Sequence, residues 1–194
     1  MLGSGTIKTL ATLLAAMTFG TALLIWMETA PARPLVPVPL QAFKNREGQA
    51  ELELVRNTQA PLAYHKWRNI IVHDLSREPN VAKGCHFVIG GPDGKDAVAR
   101  ATNLWINQQD GNHITMPGFS YNQTSIGICL AVNTNKIMPT AAQRKALVNL
   151  VRTLQAQFEV PSDHVYLHSD LGENGCPGGF FSSDEFRSQL IRSQ

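Results

Sequence analysis

Residues 165–181 read V-Y-L-H-S-D-L-G-E-N-G-C-P-G-G-F-F. The short apolar run Val165 to Leu167 reads as a strand that delivers His168. A loop rich in Gly and Asn follows, and Cys176 stands eight residues after the histidine. Imidazole and thiolate are both good ligands for zinc. A glycine-rich loop can fold back to join them, because glycine takes backbone angles that other residues avoid. A His and a Cys eight apart fit no zinc-finger spacing, so the pair alone favours an ordinary loop that never meets a metal. A third candidate ligand upstream, His73, shifts that balance.

His73 closes the stretch W-R-N-I-I-V-H, Trp67 to His73. Ile70, Ile71 and Val72 form a continuous apolar run, the pattern of a strand buried on both faces. His73 and Asp74 fall where that strand ends, and ligands in α/β sheets collect at strand ends. By itself this histidine reads by default as a strand cap held by hydrogen bonding. Cys85 to Ile89 (C-H-F-V-I) reads as a second strand, ended by the turn Gly90 to Gly94. His86 within it is expected in the core or on a sheet face. Leu104-Trp105-Ile106 reads as another short strand. Ser125 to Val132 (S-I-G-I-C-L-A-V) is a third clear strand, in which Gly127 implies close approach by another backbone. Cys129 there reads as a small buried hydrophobe.

Thr140 to Phe158 is the clearest helix. Thr140 and Gln143 form a capping box, and Leu147, Leu150, Val151, Leu154 and Phe158 share one face. Arg144, Lys145, Asn149 and Arg152 take the other side. A last helix is expected from about Ser182, with Glu185 completing a second capping box and Phe186, Leu190 and Ile191 packing on the sheet. The pattern is that of an α/β fold: one domain with a mixed central β-sheet flanked by α-helices.

Upstream, Thr9 to Met27 carries no charge in nineteen residues, roughly 28 Å of helix and close to a bilayer core. Trp26 suits the far interface. The segment reads as an N-terminal transmembrane anchor or, alternatively, a signal segment that is cleaved. A signal core is shorter, and the only small pair after it is Ala30 and Ala32 around a proline. Lys8 precedes the segment and Glu28 follows it, which points residues 1–8 inward. Either way the remainder lies outside the cytoplasm, on the periplasmic side of a cell membrane. Four prolines between Pro31 and Pro39 favour an extended spacer, so residues 28–61 read as a linker and 62–194 as the globular domain. The alternation Glu51-Leu52-Glu53-Leu54 suggests a short strand.

A net charge of +2 with no basic run gives no electrostatic argument for a nucleic-acid partner, and none is expected. Three cysteines, Cys85, Cys129 and Cys176, do not make a disulfide framework.

Five stretches occur in a telling order: Ile70 to His73, Cys85 to Gly90, Gly111 to His113, Tyr121 to Leu130, and His168 to Phe181. Together they resemble the zinc-dependent N-acetylmuramoyl-L-alanine amidases, the family of the phage lysozyme-type amidases and the peptidoglycan recognition proteins. The resemblance covers roughly Trp67 to Phe181. It implies one Zn2+ in a groove, held by His73, His168 and Cys176, with a fourth position open as catalytic zinc requires. It implies hydrolysis of the amide between N-acetylmuramic acid and L-alanine in peptidoglycan or a muropeptide. The alternative is a non-catalytic recognition module with the same fold. His113 and Asn122 match groove-lining, substrate-binding positions, and Asp170 suits an outer group behind the ligands.

The sequence departs from the family in four places. Cys85 stands where many members have tyrosine, and Asn174 where a lysine or threonine is common. Cys129 replaces a glutamate used by other members. Only twelve residues separate His73 from His86, where the family usually has a longer segment with a helix lining the groove. The candidate catalytic groups are thus Asn174, which can donate a hydrogen bond to an oxyanion, Glu173 as a base, and Cys85.

Overall fold

The computed structural model describes residues 46–75, 81–91, 96–114, 121–172 and 175–192. The expected membrane segment and most of the proline-rich spacer lie outside these residues. Among the described residues no helix is long and apolar enough to cross a membrane.

Among the described residues five strands form one mixed sheet: β1 (Asn69–Asp74), β2 (Phe87–Ile89), β3 (Ala99–Ala101), β4 (Ser125–Leu130) and β5 (Val165–Leu167), in the order β3-β2-β4-β1-β5. β1 pairs in parallel with β4 and β5, and β2 in parallel with β4. Only β3 runs antiparallel, against β2. The run read as doubly buried is so: every residue of β1 is buried, and the same holds for β4, as parallel strands covered on both faces require.

Strand alternation sorts the residues of this sheet into two environments. In register, Ile70, Ile126 and Val165 share one face, and Val72, Ile128, Leu167 and Phe87 continue it. This face joins Leu147, Leu150, Val151, Leu154 and Phe158 in one apolar core. The opposite face carries Ile71 beside Gly127 and Tyr166, and His73 beside Cys129 and Val88. Polar and ligand-type side chains therefore gather on the face turned away from the core, at the carboxyl ends of β1 and β4.

The helix Ala141–Phe158 has the expected N-terminus. Thr140 Oγ1 accepts from Gln143 N at 3.2 Å, and Gln143 Oε1 accepts from Thr140 N at 3.0 Å. Thr140→Ala removes one half of this box and is expected to destabilise the domain by about 1 kcal/mol, read as a shift of the urea midpoint with an unchanged slope.

Four local expectations fail. The stretch around Glu51–Leu54 is not a strand but part of an α-helix, α1 (Arg46–Arg56). Its Leu54 and buried Val55 pack on the core, and Val55 O accepts from Trp105 Nε1 at 3.0 Å. Leu104–Ile106 is likewise helical, in α2 (Asn103–Ile106). In both cases a short alternation or apolar triplet fits either periodicity, and tertiary contact decides. Tyr121–Thr124 forms one turn, α3, and Ala141–Phe158 is α4. The last helix, α5 (Ser183–Ser188), starts where expected, but Ser182 makes no side-chain cap bond. Glu185 lies instead 3.8 Å from Arg144. Phe186 and Leu190 are buried, whereas Ile191 is exposed.

Candidate metal centre

His73 sits at the end of β1. His168 follows β5 directly and opens a 3-10 turn, His168–Leu171. Gly172 and Gly175 then take φ of 90° and 85°, angles at which an L side chain is strained, and the chain turns back. Ser169 N donates to Cys176 O at 2.7 Å, closing the loop. The result is that one donor atom each from His73, His168 and Cys176 lie within 4.8 Å of one another, all three residues buried.

Burial keeps the His73 imidazole ready to accept a metal. His73 is held well below the ordinary histidine pKa, first by burial and then by His113 and His168 nearby. The Cys176 thiol is pushed up to about 12, chiefly by burial. A cation beside it reverses that preference, because a coordinated thiol is deprotonated. The Nδ1 atom of His73 is buried with no hydrogen-bond partner among the described residues. An unpaired buried nitrogen is costly, and a metal ligand bond removes the cost. Two imidazoles and one thiolate, with an orphaned donor atom among them, fit zinc.

His113 is placed differently from a groove wall. It is 4% exposed, and its Nδ1 lies 3.1 Å from Nε2 of His73. Burial first, then His86, lowers its pKa to about 3. Asn122 fixes this segment: its Oδ1 accepts from His113 N and Ile114 N, both at 3.0 Å, and its Nδ2 donates to Ile114 O at 2.7 Å. Asn122 thus shapes the wall through the backbone. The His113 ring also explains Gly127. A Cβ at Gly127 would come within 2.7 Å of His113 Cδ2, so the close approach comes from a side chain rather than from a second backbone.

His86 is core, as expected. Its Nδ1 accepts from Gly127 N and its Nε2 donates to Gln109 O, each at 3.0 Å. Burial lowers its pKa from 6.5 to about 4. The unfolded chain therefore binds more protons than the folded one between those values. Stability is fully present above about pH 6.5 and is lost as pH falls towards about 4. At ~1.4 kcal/mol per pH unit this window is worth up to about 3 kcal/mol. Urea midpoints at about pH 7 and about pH 4.5 are expected to show the loss, and His86→Phe to reduce it.

Of the other site candidates, Cys85 is fully buried, its thiol pushed well up by burial and by Cys129 beside it. Asp170 Oδ2 accepts from Leu167 N at 2.7 Å and pairs with Arg187 at 2.5 Å, so it braces the backbone just before His168. Glu173 and Asn174 lie outside the described residues. Sequence reasoning does not reach the contact between His113 and His73; the local cue is a histidine two residues after Gly111, which does not say what the ring meets.

The family model for N-acetylmuramoyl-L-alanine amidases matches residues 48–179. The chain belongs to the N-acetylmuramoyl-L-alanine amidase family. No curated protein matches it. Among solved structures, the amidase LysC from Clostridium intestinale URNW aligns with a TM-score of 0.52 at 23% identity, covering 69% of this chain and 92% of its own. AmiD from E. coli, solved with anhydro-N-acetylmuramic acid-L-Ala-D-γ-Glu-L-Lys, aligns at 0.53 and 19% identity, covering 70% and 62%. PlyL aligns at 0.51 and 16%, covering 66% and 87%. These likenesses establish the amidase fold, a mixed sheet with flanking helices.

Proposed function

We propose that this amidase-family chain uses one zinc ion to hydrolyse the amide between N-acetylmuramic acid and L-alanine in peptidoglycan or its fragments. The observation that carries this reading is the convergence of His73, His168 and Cys176 within 4.8 Å. Bound there, zinc supplies a Lewis acid for the carbonyl and a water of lowered pKa. His73 engages His113 through Nε2, which leaves Nδ1 for the metal. His113 then accepts the Nε2 proton and holds the ring's tautomer, the usual service to a histidine ligand. Asn122 holds His113. Asn174 is the proposed donor to the oxyanion and Glu173 the proposed base. Cys85 takes no part in proton transfer, because it is buried and its thiol stays protonated.

The muropeptide seen in AmiD supports the substrate class. For this chain we place peptidoglycan or a muropeptide against the same sheet face. Thr9 to Met27 is proposed as the anchor, with the domain on the periplasmic side of the membrane, or as a signal whose cleavage releases it. One observation favours a second reading, recognition without cleavage: the position of the usual tyrosine is the buried Cys85.

The test is to load the full chain with zinc, incubate it with a muramyl peptide, and follow the products by mass spectrometry. Separate sugar and peptide, stopped by a chelator, is the expected result. One zinc per chain with no separation supports the recognition reading, and no zinc uptake overturns the hydrolytic one.

A further inference from the structure

Asp74 is a buried carboxylate whose hydrogen bonds converge on the loop that bears Cys176. It is 0% exposed and follows His73 at the end of β1. Its backbone flanks the sulfur: Asp74 N donates to Cys176 Sγ at 3.5 Å, and Asp74 O lies 3.9 Å from the same sulfur. Its side chain reaches past the cysteine. Oδ2 accepts from Gly178 N at 3.2 Å and from Thr134 N at 2.9 Å. It also accepts a short bond from the Thr134 hydroxyl, which in turn accepts from Gly178 N at 2.6 Å. A Cβ at Gly178 would sit 2.5 Å from Asn135 N, so the absence of a side chain there lets the loop lie this close to the turn after β4.

Burying a carboxylate carries a large desolvation cost that only well-made hydrogen bonds offset. An apolar residue would close the end of β1 at lower cost. What the carboxylate adds is direction: one oxygen draws together the chain two residues beyond Cys176 and the Thr134 turn after β4. Ser169 holds the loop on its other side, at Cys176 O.

We propose that Asp74 is a positioning residue that sets where the Cys176 sulfur stands relative to His73 and His168. Its consequence for metal binding rests on the zinc reading above; the positioning itself does not.

The test compares the full chain with Asp74→Ala and Asp74→Asn. The asparagine can present its carbonyl oxygen where Oδ2 now accepts, whereas alanine cannot. Alkylation of the metal-free protein, mapped by peptide mass, reads all three cysteines. In Asp74→Ala, Cys176 is expected to react about tenfold faster or more, the equivalent of one charge-assisted hydrogen bond lost. Cys85 and Cys129 keep their slow rates, and Asp74→Asn stays near the parent. A purely structural role would loosen all three cysteines together. That outcome, or an unchanged Cys176, overturns the proposal. With metal, Asp74→Ala is expected to weaken zinc binding by about 10–100-fold and to lose the sulfur-to-metal charge-transfer band of the cobalt form, both restored in Asp74→Asn. A parent protein that takes up no zinc refutes the metal reading and leaves the alkylation result to decide the proposal. Should Asp74→Ala fail to fold, Thr134→Val removes one arm of the same junction and is read in the same way.

Discussion

Cys176→Ser is expected to weaken zinc binding by more than about 100-fold, beyond what loss of an outer supporting group costs, and to abolish amide hydrolysis with it. Serine is close to cysteine in size, and the Ser169 N to Cys176 O bond that closes the loop is made by backbone, so the loop keeps its path. What changes is the donor. A thiolate is a soft ligand that zinc deprotonates readily, while a serine hydroxyl stays protonated and binds poorly. The site then offers two imidazoles and a neutral oxygen. Zinc affinity by chelator competition, measured beside product formation by mass spectrometry, checks both halves. Hydrolysis that survives in this variant would refute the ligand assignment. Metal lost with binding of muropeptide retained would instead separate recognition from the metal.

Gly84→Ala is expected to cause the largest loss of stability among simple substitutions. A Cβ there would lie 1.9 Å from Asn112 O and 2.5 Å from Asn112 C. Both are backbone atoms, so no rotamer change relieves the clash. The segments are also joined by Asn112 N donating to Gly84 O at 3.0 Å, and they must separate together. Overpacking of this kind costs about 3 kcal/mol, a fall of about 6–12 °C in Tm for a domain of this size. Because His113 follows Asn112, the same displacement moves the ring that supports His73, and zinc affinity is expected to drop in parallel. Gly179→Ala is the control. Its Cβ would meet nothing within 4 Å, and its stability is expected to stay within about 0.5 kcal/mol of the parent. Equal behaviour of the two variants would mean that the 84–112 contact does not form in solution.

Much of the frame was legible because its signals are local. Ile70 to Val72 and Ile126 to Leu130 hold only apolar residues and glycine, the pattern of a strand covered on both faces. The capping box of α4 needs two residues three apart, and both were visible. The errors fall where local pattern is ambiguous. Glu51 to Leu54 alternates over four residues, too few to separate a strand from one turn of α1, and burial of Val55 against Trp105 settles it. Leu104 to Ile106 fails for the same reason. Ser182 and Glu185 have the right spacing for a cap, but Arg144, far away in sequence, draws Glu185 aside.

The sequence by itself singled out His73, His168 and Cys176 as candidate ligands, through strand-end placement, a glycine-rich return loop and the resemblance to the amidases, and the fold brings the three within 4.8 Å. Tertiary structure alone decided what stands behind those donors. Parallel pairing puts Gly127 beside Ile71, and the space over the glycine admits the His113 ring against His73. Asp74, Thr134 and Gly178 are separated by 60 and 44 residues, yet they share hydrogen bonds next to Cys176. Such contacts depend on strand order and register, which no single stretch of sequence carries.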